Sequence, residues 1–207
     1  MKLNAKQLRA SDPKKSDTAK VKRREIYVIC DNILDAFNIG SIFRLADAVG
    51  ASKVFLCGQT QTPPYHRITK AAVGTDKWVS WEHASTAAEA IENLKRKFSI
   101  ARSERHSGAK QSGAIESRSY QSPRSLQDDS TRLKVIAIEQ GKNSVDFRKV
   151  DYSLPIAFVI GHETTGVSKD ALKLVDTAVE IPMFGVNRSL NVVISLAMVL
   201  TKVIEKF

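Results

Sequence analysis

Three stretches of the chain place polar side chains among glycines and apolar residues in a way that packing alone leaves unexplained. The first is DAFNIGSIFRLADAVG, Asp35 to Gly50. From Ile39 onward, Ile42, Phe43, Leu45, Ala46 and Val49 recur at three- and four-residue steps. That spacing predicts a helix with one apolar face, with Gly50 as its C-terminal cap. A core helix has no need of Asn38 at its entrance or of Arg44 a turn and a half in. The second stretch is GHETTG, Gly161 to Gly166, in which two glycines bracket Glu163. Glycine lets a backbone come close to a ligand, but a turn with a surface glutamate is nearly as good an account. Neither GxGxxG nor GxxxxGK is present, and His162-Glu163 is not the HExxH of zinc enzymes. The third stretch is IPMFGVNRSLN, Ile181 to Asn191. Ile181, Pro182 and Met183 make an apolar rim suited to a flat ring. Ser189 is placed to cap the helix that follows, a role that needs no ligand. Asn191, in the first turn of an otherwise apolar helix, is harder to explain.

The elements that must position these stretches alternate. EIYVIC, SKVFLCG, KWVSWEH, LKVIAIEQ, PIAFVIG and TAVEIPM read as strands, two of them nearly continuous in apolar residues as in a sheet covered on both faces. ITKAAVG, TAAEAIENLKRKF, SKDALKLV and SLNVVISLAMVLTKVIEKF read as helices, the second capped by Thr86. Strands alternating with helices predict an α/β fold with a mainly parallel sheet and helices on both faces. Ligands of such sheets bind beyond the carboxyl ends of the strands, where all three stretches fall.

Two segments break the rhythm. Residues 1–24 carry nine lysines and arginines against Asp12 and Asp17 with few apolar residues, and are expected to be a flexible basic arm. Residues 101–132 are rich in serine without apolar periodicity, and are expected to be a largely disordered insertion in a domain spanning 25–207. The whole chain has 32 basic and 22 acidic residues, a net charge of +10, which favours a polyanionic partner. No apolar run reaches the length of a membrane span, no secretory signal precedes the domain, and no metal-ligand spacing occurs. Cys30 and Cys57 read as reduced, buried thiols of a cytoplasmic protein.

Taken together, Asn38-Ile39-Gly40 with Arg44, Gly161 to Gly166, and Ile181-Pro182-Met183 with Ser189-Leu190-Asn191-Val192 resemble the SpoU, or TrmH-like, branch of the SPOUT methyltransferases. The resemblance covers residues 25–207 apart from the insertion. It implies a C-terminal deep trefoil knot, the α/β knot, which general topology rules treat as rare. It implies a homodimer with the active site near the subunit interface, formed largely by the first and last helices of the domain. It also implies S-adenosylmethionine as cofactor and methylation of a ribose 2′-hydroxyl in tRNA or rRNA.

By the same resemblance, Arg44, Asn38, Glu163, Ser189 and Asn191 carry the catalytic site. Ile138, Glu139, Gly161, Ile181, Met183, Ser189 and Leu190 hold the cofactor, several of them through the main chain. The reaction is an in-line displacement in which a proton must leave the attacking hydroxyl. An arginine is a poor base in water because it stays protonated. Arg44 either accepts the proton in a suitable environment or stays charged and stabilises the forming alkoxide. A base-nitrogen methyltransferase and a catalytically silent RNA-binding protein of the same fold are the alternatives. Arg44 counts against the first and the intact motifs against the second.

Overall fold

The computed structural model describes residues 2–108 and 132–207. Its strands are β1 (Arg24–Asp31), β2 (Ala51–Cys57), β3 (Trp81–Ala84), β4 (Lys134–Ile138), β5 (Val145–Asp146), β6 (Ile156–Gly161) and β7 (Thr177–Glu180). They form one sheet in the order β3-β2-β1-β6-β4-β7-β5, with every pairing parallel. The helices are α1 (Ala5–Ala10), α2 (Lys15–Thr18), α3 (Ala36–Ala48), α4 (His66–Ala72), α5 (Ala87–Gly108), α6 (Lys169–Leu172) and α7 (Val192–Ile204). Two-residue β5 had no counterpart in the sequence reading, because two residues carry no periodicity.

The alternation of β1 explains the layers. Ile26, Val28 and Cys30 point into one core with α3, α4 and α7, while Tyr27 and Ile29 point into a second with α5 and α6. Both faces of the central strands are covered, so they read as unbroken apolar runs. The closing helix buries Leu196, Val199, Leu200 and Val203, each contributing about 1.5–3 kcal/mol relative to exposure. Cys30 and Cys57 are free and buried. Burial, reinforced by Asp31, pushes the Cys57 thiol up to about 12, which leaves it unreactive.

Helix α3 meets α4 backbone to backbone at Gly40. A Cβ there would lie 2.5 Å from Ala71 Cβ and 2.6 Å from the Ile68 carbonyl oxygen. Gly40→Ala should therefore force the helices apart and cost about 1–3 kcal/mol, visible as a lower thermal midpoint by circular dichroism. An unchanged midpoint would mean that α4 yields freely.

Three segments differ from expectation. Helix α5 continues to Gly108, eight residues into the stretch read as an insertion, and residues 109–131 of that stretch lie outside the described residues. Helix α3 begins at Ala36, because Asp35 caps it by accepting from the Phe37 N–H at 2.8 Å. The segment before β1, expected as a flexible arm, contains α1 and α2 and is tied to the body. Ser11 accepts through its carbonyl from Lys77 Nζ and through its hydroxyl from Trp78 Nε1, each at 2.9 Å. Arg23 donates to the Trp78 carbonyl and pairs with Asp47, both at 3.0 Å. A six-residue helix is too short to persist alone. Its anchors are single polar contacts, invisible to apolar periodicity.

Candidate active site

Strand order reverses beside β1. From β1 the chain moves outward to β2 and β3, while its other neighbour, β6, leads to β4 and β7. The loops leaving adjacent carboxyl ends diverge at such a point and open a crevice. Here the segments after β4, β6 and β7 line a cleft of ≈ 370 Å³. Its apolar wall includes Ile138, Ile160, Val179, Ile181, Leu190 and Val192, and its polar wall includes Glu139, Gln140, His162, Glu163, Thr164, Glu180, Ser189 and Asn191.

One hydrogen-bonded chain joins the three stretches at the cleft's edge. Asn191 Oδ1 accepts from the Val193 N–H at 2.9 Å, which caps α7. Its Nδ2 donates to Asn38 Oδ1 at 3.1 Å. Asn38 Nδ2 donates to Glu163 Oε1 at 3.0 Å, and Glu163 also accepts from the N–H groups of Leu34 and Asp35, both at 3.3 Å. The polarity of the chain is forced. An ionised carboxylate only accepts and a backbone N–H only donates, so each amide has one orientation that serves both neighbours. The cap is Asn191 rather than Ser189, whose N–H and hydroxyl turn instead to Asn187 Oδ1. Asn191→Ala should remove the cap and strand the Asn38 carbonyl, which is 8% exposed. The combined cost is about 2–4 kcal/mol, measurable by urea unfolding. Asn191→Ser, which keeps a cap without the donor, should recover only part of it.

Burial pushes the Glu163 carboxyl up, but hydrogen bonds from Asn38 and from backbone N–H groups, including those of Leu34 and Asp35, outweigh it and leave the pKa lowered. The folded state thus favours the ionised form. The stabilisation is fully present above the ordinary glutamate value of 4.5 and is lost as pH falls through the lowered one. The thermal midpoint difference between wild type and Glu163→Gln should be constant at neutral pH and shrink below about pH 4.5. A difference constant down to about pH 3 would contradict this.

Glu139 was expected to serve through its main chain, yet its side chain ties two loops together. Oε2 accepts from the Val167 N–H at 2.7 Å and Oε1 from the Gln140 N–H at 3.1 Å. Asp31, 2% exposed at the end of β1, likewise holds the Ser168 N–H at 2.8 Å. Sequence reasoning missed Asp31. The only signal was a carboxylate closing a buried strand. Of the residues expected at the site, Ile138, Glu139, Gly161, Glu163, Ile181, Ser189, Leu190 and Asn191 line the cleft, and Asn38 joins it through Glu163 and Asn191. Met183 is not part of the wall. Arg44 stands exposed on α3, outside the cleft wall of its own chain, without a hydrogen bond or ion pair among the described residues.

A parallel sheet with a cleft over the carboxyl ends of its strands, here β6, β4 and β7, defines the class of open α/β proteins that bind ligands at that edge of the sheet. Within that class, the chain belongs to the SpoU rRNA Methylase family, whose model matches residues 25–126 and 114–201. It is 26% identical over 176 residues to the tRNA (guanosine(18)-2′-O)-methyltransferase of Escherichia coli, covering 85% of this chain and 61% of that protein. It is 29% identical over 176 residues to the protein of the same name from Thermus thermophilus, covering 85% of this chain and 72% of that one. The fold matches the crystal structure of the Aquifex aeolicus TrmH/SpoU tRNA modifying enzyme with a TM-score of 0.67 and 23% identity, over 98% of this chain and 81% of that one. It matches the SpoU methyltransferase AviRb from Streptomyces viridochromogenes, in complex with AdoMet, with a TM-score of 0.66 and 22% identity, over 89% and 62%. The chain therefore spans about three fifths of the E. coli relative's length.

Proposed function

We propose that this protein is an S-adenosylmethionine-dependent methyltransferase acting on a ribose 2′-hydroxyl of tRNA or rRNA. The observation that carries the reading is the single hydrogen-bonded chain from Asn191 through Asn38 to Glu163 at the rim of the cleft. It unites three separate motifs of a family whose curated relatives include tRNA 2′-O-methyltransferases. The cleft's donor set suits the cofactor. Ile138, Val179, Ile181 and Leu190 offer an apolar slot for a flat base, and the adjoining backbone groups offer donors and acceptors to its edge. When bound, the cofactor supplies an electrophilic methyl group on a sulfonium.

The residues of the chain do the rest. Glu163 clamps the entrance of α3 to the β6 loop, and Glu139 clamps the β4 end to the start of α6, so the cleft walls keep fixed spacing. Such positioning of two reactants is worth about 7–11 kcal/mol. With the cofactor bound, its sulfonium methyl would pass to the ribose oxygen, a C–O bond replacing the C–S bond, and the hydroxyl proton would go to Arg44 or to water. Arg44 meets that oxygen or the adjacent phosphate, and either takes the proton or stays charged and stabilises the developing alkoxide.

The same reading includes a homodimer, a trefoil knot and a cytoplasmic location. Leu34 and Phe37 at the head of α3 and Ile194 on α7 are 46%, 48% and 50% exposed, an apolar surface beside the cleft that a second copy would cover. After β7 the chain crosses back over β4, and α7 packs on α3 and β6, a return path that supports threading behind the cleft loops. No helix among the described residues is long and apolar enough to cross a membrane. No group of three or more His, Cys, Asp or Glu among them could hold a metal ion.

Calorimetry with S-adenosylmethionine, followed by transfer of labelled methyl to total RNA and nuclease mapping, tests the proposal. Label on ribose is the expected result. Label on a base, or cofactor binding without transfer to any RNA, would overturn it.

A further inference from the structure

We infer that the RNA backbone is held by a basic face built from α1, α4 and the outward side of α3, leading toward the cleft. This inference rests on the function proposed above. The face is assembled by docking. The Leu8 carbonyl of α1 lies against Gly74, where a Cβ would come within 2.5 Å of it. Gly74 directly follows Val73, the C-terminal cap of α4, so α1 sits at the end of that helix. Ser11 is pinned by Lys77 and Trp78. Helix α4 in turn lies on α3 at Gly40, two residues from Asn38 and one turn from Arg44.

The docked surface is strongly one-signed. Ile68 and Ala72 point inward, which leaves Arg67 and Lys70 exposed on α4, while Lys6 and Arg9 are exposed on α1. None of these four, nor Arg44, has an acidic partner among the described residues. Of the acids nearby, Asp35 caps α3 and Asp47 pairs with Arg23 at 3.0 Å. Asp12 lies 3.8 Å from Lys77, Asp17 lies 3.3 Å from Lys20, and Asp76 is buried at 6% exposed. No large apolar side chain is exposed on α1 or α4, in contrast to Phe37 on α3, so the part of the face built by α1 and α4 offers charge rather than a hydrophobic dock. Five cations without acidic partners, carried on three helices in contact and ending on the helix that bears Asn38, fit a phosphodiester backbone, which gains affinity by releasing counterions. Anchoring α1 holds its cations in place before the RNA arrives, lowering the ordering cost of binding.

The test uses the full chain, unfractionated tRNA, and two charge-reversal variants, Lys6→Glu with Arg9→Glu and Arg67→Glu with Lys70→Glu. Each should weaken tRNA binding at least about tenfold near 0.1 M salt and flatten the plot of log affinity against log salt by roughly 1.4 to 1.8. Calorimetric affinity for S-adenosylmethionine should stay unchanged. Thermal midpoints check folding, and the matching glutamine substitutions replace any variant that fails to fold. Wild-type tRNA binding that both variants retain would overturn this inference alone. Wild type that binds the cofactor but neither tRNA nor rRNA would overturn the functional reading itself. Variants that lose binding to vesicles containing phosphatidylserine, while keeping tRNA binding, would reassign the face to a lipid surface and overturn the proposal.

Discussion

Arg44→Ala should lower single-turnover methyl transfer by about 10²–10³-fold, the usual consequence of removing one group aimed at developing oxyanion charge. Cofactor affinity should stay within about twofold of wild type, since the side chain stands outside the cleft wall of its own chain. The exposed guanidinium has no partner among the described residues, so its deletion leaves no buried group stranded and should barely move stability. That combination, a large rate effect with small effects on folding and on cofactor binding, marks a group that meets the substrate. The pH–rate profile then separates its two candidate roles. A residual rate in the variant that climbs with hydroxide while the wild type levels off would indicate proton removal by Arg44. Parallel profiles offset by a constant factor would indicate electrostatic stabilisation. Near-normal turnover in Arg44→Ala would exclude both.

The second large effect is expected from Asn38→Asp. The change is nearly isosteric, but it puts a carboxylate 3.0 Å from Glu163 Oε1 in place of a donor. Two carboxylates at that distance do not both stay ionised. At about pH 8 the repulsion should spread the α3 entrance from the β6 loop and weaken S-adenosylmethionine binding by at least tenfold, equivalent to about 1.4 kcal/mol. On acidification to about pH 5 the pair should take up one proton and bridge, so the variant should regain affinity. Wild type, whose Glu163 pKa is already lowered, should stay flat over the same range. Calorimetry at the two pH values decides. Affinity equal to wild type at the higher pH would mean that the Asn38–Glu163 contact does not shape the cleft.

Much of this was legible in the linear chain. Apolar runs identified six of the seven strands; β1, β4 and β6 read most clearly because both their faces are covered, whereas edge strand β3 begins only at Trp81, the first half of the KWVSWEH stretch being a turn. The apolar stripe of α3 and the Thr86 cap of α5, which accepts from the Glu89 N–H at 3.1 Å, are local features and were read locally. Local patterning misplaced other features. Ser189 and Asn191 are equally good N-caps by type. The choice of Asn191 follows from Asn38, 153 residues earlier in the chain, which accepts from its amide Nδ2 while its Oδ1 caps the helix. The docking of α1 depends on Ser11 meeting Trp78, 67 residues away, and no periodicity announces such a contact.

The sequence by itself determined the longer elements of the sheet and its covering helices, the two apolar layers and the polar residues worth asking about. Those properties depend on residue type and on neighbours three or four positions away. Only the tertiary structure decided which polar groups face one another. Parallel strands bring together carboxyl ends that are remote in sequence, and the cleft lies over those of β6, β4 and β7. The tertiary structure put Asn38, Glu163 and Asn191 in one line, left Met183 off the wall, and set Arg44 on an outer surface. Hydrogen bonds are short-ranged and directional, so their partners are fixed by where the backbone has been carried, which composition and spacing do not encode.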